Sequence, residues 1–541
     1  MDAPMTPAPA PGGAANAARP TPNAGESRLF VLPDGRNVIF TFVLVSSLFL
    51  LWGFCNGMID VMDKHFQEEL HLTLAQSAWV QFAHYLGYFL MSLPAGWLAI
   101  RLGYRGGLVA GLLLVAVGGL WFIPATHIAQ FWAFLVGVCV IASGLTFLET
   151  IANPYTTVLG PPRYAATRIN LAQSCNGIGW IFGPVAGALF FYSKDAAGVS
   201  TGSRTLWIPY AGVAVVVILL AVVFSFAPVP DLKTEDDYHL DEADSGAPAA
   251  PLRQVRPGLN YFLLLLNTAV LIGVFEMILW VILSTAGVAP GAIAATLWTS
   301  GAVALVAASL LIGPVARKLS HHSIWSHPHF TSATLAQFFY VAAQAGIFSF
   351  LINYMTSEVP AMPASWTTGW LQSWFEVRNG LVHFSDRGAS NLASLGFFCF
   401  LVGRFSGAAI LSRISAHKVL GLYATINVAV CGLVFLKLGW ASVAGVFLSY
   451  FFMSIMFPTI FALGIFGLGV GAKRASGYIV MAIMGGAMLP KLMGHVADVY
   501  GMSRSFIVPL ACFALVALYG WCWPTLSGAE SLSGLTTTGG H

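Results

Sequence analysis

Residues 106–160 read GGLVAGLLLVAVGGLWFIPATHIAQFWAFLVGVCVIASGLTFLETIANPYTTVLG, and this stretch decides which kind of fold the chain can adopt. It contains no Asp, Glu, Lys or Arg before Glu149. A helix needs about 20 apolar residues to cross a hydrocarbon core of roughly 30 Å, so the run is long enough for two crossings. Pro124-Ala-Thr-His127 supplies a turn between them. The stretch predicts two membrane-spanning helices, the second of which carries a carboxyl group.

The rest of the chain has the same character. Of its 541 residues 57% are hydrophobic and only 9% are charged, with a mean hydropathy of +0.77, whereas a soluble protein carries about 25% charged residues. Similar charge-free runs recur along the chain, without the alternating ~10-residue segments of a membrane β-barrel. The composition excludes a soluble protein and predicts an all-α polytopic membrane protein.

Breaks at Gly, Pro and charged residues divide the apolar runs into fourteen predicted helices. They lie near residues 39–62, 74–100, 105–124, 129–158, 166–192, 206–228, 259–284, 290–315, 331–356, 390–411, 416–437, 440–468, 475–498 and 504–525. We group them into domains and connecting segments as follows: a disordered cytoplasmic tail (1–36), an N-terminal six-helix bundle (37–228), an acidic cytoplasmic linker (229–258), two additional transmembrane helices (259–316), a C-terminal six-helix bundle (330–525) and a cytoplasmic tail (526–541).

The distribution of Lys and Arg predicts the orientation in the membrane. With the N-terminus inside, most of the 25 basic residues fall in cytoplasmic segments, as the positive-inside rule requires. We therefore expect a multi-pass protein of the cell inner membrane with both termini in the cytoplasm. The first 36 residues lack an apolar core segment, so they do not resemble a signal peptide.

Two segments indicate an internal duplication. NPYTTVLG ends the helix predicted at 129–158 and FPTIFALG ends the one predicted at 440–468, and each has Leu five residues and Gly six residues after its Pro (Pro154 and Pro458). Duplicated membrane bundles typically hold their substrate between the two halves, near the midplane.

Polar side chains cluster on the faces of several predicted spans. Trp52, Asn56 and Asp60 follow one another at intervals of four residues, and Gln81 and Tyr85 repeat that interval in the second helix. Amides, hydroxyls and aromatic rings suit a neutral polyol such as a sugar. The alternative is that single amides only bond one helix to another. A carboxyl group in a span is costly and marks function by default, which singles out Asp60 and Glu149.

Other intramembrane charges have weaker claims. Glu276 is expected to pair with a neighbouring helix, and Arg404 to snorkel or to bond carbonyl groups. The role of Lys491 stays open. The four histidines of HHSIWSHPHF (321–330) resemble a metal site only superficially, so no metal is expected. The sequence contains no catalytic or nucleotide-binding motif that we can assemble, which argues against an enzyme, an organic cofactor or a nucleic-acid partner.

Several motifs resemble a known family. LETIANPYTTVLGP, RINLAQSCNGIGWIFGP, AQFFYVAAQ, GRFSG and MSIMFPTIFALGI are similar to the fucose–galactose–glucose:proton symporters of the major facilitator superfamily, and most similar to bacterial L-fucose permeases. The resemblance implies two six-helix halves that alternate around a central sugar cavity. It also implies that Asp60 and Glu149 couple sugar movement to protons. It does not divide the roles of these two residues.

The sugar site is predicted from the helical spacing of the polar residues together with the family resemblance. Candidate substrate-binding residues are Trp52, Asn56, Gln81, Tyr85, Gln173, Asn176, Tyr340, Gln344 and Phe457. Phe457 follows Met456 where fucose permeases can have Gln-Tyr, which favours glucose, galactose or N-acetylglucosamine relatives. Ile100 replaces the usual Asp of the superfamily's loop signature.

We therefore expect a monomeric sugar:H⁺ symporter that carries a small neutral monosaccharide, with L-fucose as first candidate and H⁺ as the coupling ion. The alternatives are proton-coupled transport of glucose, galactose or N-acetylglucosamine, facilitated diffusion without protons, and a transporter-like sensor that binds sugar without moving it.

Overall fold

The computed structural model describes residues 29–32, 35–69, 79–161, 164–191, 205–227, 229, 256–319, 323–362, 374–378 and 381–528. The predicted tails and the linker fall largely outside these residues, so the domain boundaries stay predictions. Within the described residues, twelve helices are long and apolar enough to cross a membrane. The chain is a multi-pass helical membrane protein.

The first half of the described chain contains α1 (Ile39–Glu69), α2 (Trp79–Ile128), α3 (Phe131–Val158), α4 (Ala165–Phe191) and α5 (Trp207–Phe226). Two further helices follow, α6 (Pro257–Thr285) and α7 (Pro290–Lys318). The second half contains α8 (Pro328–Ser357), α9 (Asp386–Leu411), α10 (Ala416–Phe435), α11 (Trp440–Met453), α12 (Met456–Ile465), α13 (Ala472–Met481), α14 (Gly485–Tyr500), α15 (Met502–Ser505) and α16 (Ile507–Ser527). Three-residue 3-10 turns cover Ile324–Ser326, Gly469–Gly471 and Ala482–Met484.

Helix α2 contains two of the predicted spans. Its 50 residues would extend about 75 Å as one straight helix, far more than a bilayer requires. The backbone breaks at Gly103, where φ is 71°, a conformation that glycine adopts without steric cost. Helix α4, with 27 residues, corresponds to the predicted helix at 166–192. Helices α11 and α12 together form one bent span, and so do α13 and α14. All fourteen predicted helices therefore have counterparts in the structure. The structure also contains a hairpin that sequence reasoning missed, in which β1 (Phe375–Arg378) pairs antiparallel with β2 (Leu381–Phe384).

The two halves touch at one end of the bundle, where α3 ends and α4 and α13 begin. Ser476 donates a hydrogen bond to the carbonyl of Thr150 (2.8 Å), and Asn170 donates to the hydroxyl of Thr459 (3.2 Å). Both bonds are buried and cross between the halves. Backbones also meet there, because a Cβ added to Gly477 would lie 2.7 Å from the carbonyl oxygen of Ser92. This end of the bundle is closed.

Helices α1 and α4 pack through glycines. A Cβ added at Gly53 would lie 2.1 Å from the carbonyl oxygen of Asn176, and one at Gly179 would lie 2.3 Å from that of Leu50. Small residues of this kind let helix backbones approach closely in membranes, where association depends on packing rather than on the hydrophobic effect. The contact fixes Trp52, which precedes Gly53, relative to Asn176, whose carbonyl meets that glycine.

Replacing Gly53 by alanine is expected to destabilise the protein by about 1–3 kcal/mol, because the added methyl group meets backbone that cannot rotate away. The matched control is Gly212→Ala in α5, where nothing lies within 4 Å of the added Cβ. Thermal unfolding of the detergent-purified variants measures the difference. Equal melting temperatures for the two variants would contradict the assigned packing.

Candidate functional site

A polar cavity of about 100 Å³ lies between the two halves, formed by α1, α2 and α4 on one side and α8, α9 and α12 on the other. One water molecule needs roughly 10–15 Å³ of such cavity volume. The cavity therefore has room for several waters or for one small polar molecule. Seven of the nine predicted substrate-binding residues line it: Trp52, Asn56, Gln81, Tyr85, Asn176, Gln344 and Phe457.

Glu149 lies beside this cavity in the middle of the bundle. Its side chain is 2% exposed, and neither carboxyl oxygen has a hydrogen-bond partner among the described residues. Tyr88, Asn153 and Arg404 interact with it electrostatically. A carboxyl group inside a span is costly to keep and marks a functional position by default.

Arg404 is the functional residue that sequence reasoning left outside the site. It does not snorkel to the membrane surface, since it is 3% exposed and lines the cavity. Its guanidinium donates to the carbonyl oxygen of Ser454 (2.9 Å) in its own half and to the carbonyl oxygen of Gln173 in the other. Longer contacts reach Gln173 Oε1 (3.3 Å) and Asn176 Oδ1 (3.4 Å). The expected carbonyl bonding is present, but it crosses the seam between the halves.

Gln173 and Tyr340, the other two predicted substrate residues, lie behind the cavity wall. The Gln173 amide donates to Asn153 Oδ1 (3.0 Å) while its oxygen accepts from Arg404. The Tyr340 hydroxyl donates to the carbonyl of Met453 (3.0 Å) and is fully buried. In this arrangement both residues hold neighbouring groups in place. Asp60 lies on α1, one turn after Asn56, but its side chain is outside the described residues.

Aromatic rings and a histidine complete the wall. The Trp52 indole N–H donates to the Tyr88 hydroxyl, and Trp180 stacks on Phe397 with ring centroids 5.4 Å apart. His84, Tyr88 and Trp180 all line the cavity. His84 and Tyr88 share the helix face of Gln81 and Tyr85, so the same helical periodicity predicts that they line the cavity. No periodicity in the sequence predicts this position for Trp180.

Several buried polar atoms around the cavity have no hydrogen-bond partner among the described residues. They are Asn56 Oδ1, Asn176 Nδ2 and His84 Nδ1, in addition to the Glu149 oxygens. Each unsatisfied buried group costs about 1–3 kcal/mol. A cavity that combines such donors and acceptors with aromatic faces is suited to a small hydroxylated molecule.

The remaining charged candidates lie away from this cavity. The Glu276 carboxyl packs on Gly301 of α7, where an added Cβ would lie 3.6 Å from Oε1, and Lys491 lies over the Trp280 ring at 3.7 Å. His321 and His322 fall outside the described residues, within which no group of three potential metal ligands occurs.

Comparison with known proteins identifies the kind of transporter. Residues 39–370 match the sequence profile of the Major Facilitator Superfamily. The L-fucose-proton symporter of Escherichia coli (strain K12) is 30% identical over 514 residues, covering 92% of this chain and 94% of that protein. The glucose/galactose transporter of Brucella abortus is 28% identical over 486 residues, covering 90% and 94%.

Solved structures agree with the sequence comparison. The crystal structure of the major facilitator transporter FucP in the outward conformation superimposes with a TM-score of 0.63 at 30% identity, covering 90% of this chain and 99% of that one. The proton:xylose symporter XylE shares the fold, with a TM-score of 0.58 at 13% identity.

These findings define a membrane transporter rather than an enzyme. The chain belongs to the major facilitator superfamily. The resemblance to the fucose–galactose–glucose symporters and the predicted fold class are both confirmed.

Arg404→Lys is expected to lower stability by about 1–3 kcal/mol, because a single ammonium group cannot reach the Ser454 and Gln173 carbonyls together and one stays unsatisfied. The control is Arg413→Lys, at an exposed position just after the end of α9. Thermal unfolding in detergent tests this. An Arg404→Lys variant as stable as the control would show that the bridging bonds contribute little.

Proposed function

We propose that the chain is a proton-coupled sugar symporter of the inner membrane, with its termini in the cytoplasm, and that L-fucose is its substrate. One observation carries the proposal: a buried carboxyl group, Glu149, beside a cavity lined by amides and aromatic rings. Neutral sugars need such a lining, and proton coupling needs a group that gains and loses charge during the cycle.

The relatives support this assignment of substrate and coupling. The Escherichia coli protein is named an L-fucose-proton symporter, and it matches nearly the whole chain. In the predicted orientation the closed end of the bundle would be cytoplasmic, which agrees with the outward conformation named for FucP.

Glu149 and Arg404 suggest how the proton controls movement of the halves. They lie on α3 and α9, in opposite halves, and attract each other when the carboxyl is charged. Arg404 keeps its charge at any accessible pH. Protonation of Glu149 removes the attraction across the seam and gives the carboxyl a donor for a sugar hydroxyl. A carrier loaded with both proton and sugar is then free to open inward, where the proton leaves. Asp60 stays the second candidate for carrying the proton.

A second candidate function rests on Phe457. This residue lines the cavity, and its ring lacks the hydroxyl of the tyrosine that fucose permeases can have there. The Met456-Phe457 pair resembles the motif of glucose/galactose relatives rather than that of fucose permeases, which favours glucose or galactose, the sugars named for the Brucella abortus relative.

Replacing Glu149 by glutamine is expected to abolish accumulation driven by a pH gradient while leaving sugar exchange at least partly active, because glutamine mimics the protonated carboxyl but cannot release a proton. Uptake of labelled L-fucose, galactose, glucose and N-acetylglucosamine into proteoliposomes with an imposed pH gradient measures accumulation, and counterflow measures exchange.

The matched control is Glu276→Gln, the same substitution in a span away from the cavity, which should accumulate sugar like the natural protein. Undiminished accumulation by Glu149→Gln would remove this residue from the coupling. Transport by the natural protein without a response to the pH gradient would establish facilitated diffusion instead.

A further inference from the structure

A second cavity lies beneath the additional helix α6, outside the sugar site. It measures about 210 Å³ and is partly open. Residues of α6 between Leu264 and Val274 form one wall, Phe338 of α8 and Met481 of α13 form the opposite wall, and Phe89 of α2 closes part of the remainder. The lining is mostly apolar, and both halves contribute to it.

Polar contacts hold α6 in place at two levels. The Asn267 amide donates to the carbonyl of Thr331 (2.9 Å), and the Thr334 hydroxyl donates to Asn267 Oδ1. Further along the helix, the Lys491 ammonium of α14 lies 3.7 Å from the centre of the Trp280 ring. Lys491 is exposed, and a cation over an indole at such a site contributes about 0.5–1 kcal/mol.

Apolar contacts support the helix between these levels. Val274 packs with Phe338 and Met484 in a small buried cluster of their own. Phe275 meets Phe89 edge to face, with ring centroids 5.7 Å apart. Because α6 is supported above and below the cavity, the space cannot close by a simple inward shift of the helix.

The position of the cavity identifies its surroundings. Its α6 wall runs from Leu264 to Val274, a rise of about 15 Å at 1.5 Å per residue, and lies inside a membrane-spanning helix. Apolar cavities of this kind stay dry, and an opening at that depth faces acyl chains. A narrow cavity of this length suits a chain rather than a ring.

One end of the cavity is lined by residue types that are common at the membrane–water interface. Trp325, just before α8, and Tyr478 of α13 line it there, and such aromatic residues prefer the level of the lipid headgroups. Arg474 precedes Tyr478 by four residues, so it lies on the same helix face, one turn nearer the start of α13. Its side chain is exposed. An arginine at this position supplies a cation that can pair with a phosphate at the membrane surface.

We propose that this cavity is a phospholipid site, in which an acyl chain lies along α6 and the phosphate lies at Arg474. The bound lipid would contact both halves of the transporter through Phe89 and Phe338. The additional helices thus form, together with the bundle, a site for a membrane component that the sugar cavity does not involve.

Native mass spectrometry of the detergent-purified full chain tests the proposal without any transport measurement. The natural protein should retain one phospholipid per chain. Leu271→Trp, which fills the cavity, should lower the retained fraction at least fivefold, and Arg474→Gln should also lower it. Leu266→Trp is the matched control, because it introduces the same ring on the same helix at a position that is 38% exposed and outside the cavity lining.

Retention by Leu271→Trp equal to that of Leu266→Trp, or no retained lipid in the natural protein, would overturn the proposal. Val270→Phe fills the same cavity with a smaller ring, and it provides the decisive comparison if Leu271→Trp does not fold.

Discussion

A permanently charged guanidinium in a dry interior must be surrounded by hydrogen-bond acceptors, and the arrangement of the central site follows from this requirement. Arg404 meets it with carbonyl groups from both halves, one from Ser454 and one from Gln173. Since a buried cation left without such partners costs several kcal/mol, the halves are held together where these acceptors converge. Gln173 in turn is fixed by Asn153, one helical turn after Glu149. The cation thereby organises the surroundings of the carboxyl group without forming a direct ion pair with it among the described contacts.

The fold was largely predictable from the sequence because each span must satisfy its backbone internally and present an apolar surface. Hydropathy alone therefore located the fourteen helices, including α6 and α7. Glu149 was also predictable, since a carboxyl group in a charge-free run has no inexpensive structural explanation. The seven lining residues followed from helical periodicity combined with the family motifs.

The role of Arg404 was not predictable from local sequence. Its partners Gln173 and Ser454 lie 231 and 50 residues away, so only the folded chain shows whether the side chain points towards the surface or across the seam. The same limitation applies to Gln173 and Tyr340, whose polarity indicated the correct region but not whether they face the cavity or support its wall. The lipid cavity depends on the docking of α6 against both halves, which no periodicity encodes.

The glycine contact between α1 and α4 has a consequence for how the cavity changes shape. With Gly53 pressed against the backbone of Asn176, these helices have no room to slide past each other. Trp52, Asn56 and Asn176 therefore form one preassembled surface that keeps its geometry throughout the proposed cycle. In the proposed transport cycle, the opposite wall, where Gln344 and Phe457 lie, would be the part of the cavity that moves relative to this surface. If the cavity binds sugar as proposed, one half of it would act as a rigid template and the other half would set when the sugar is held and when it is released.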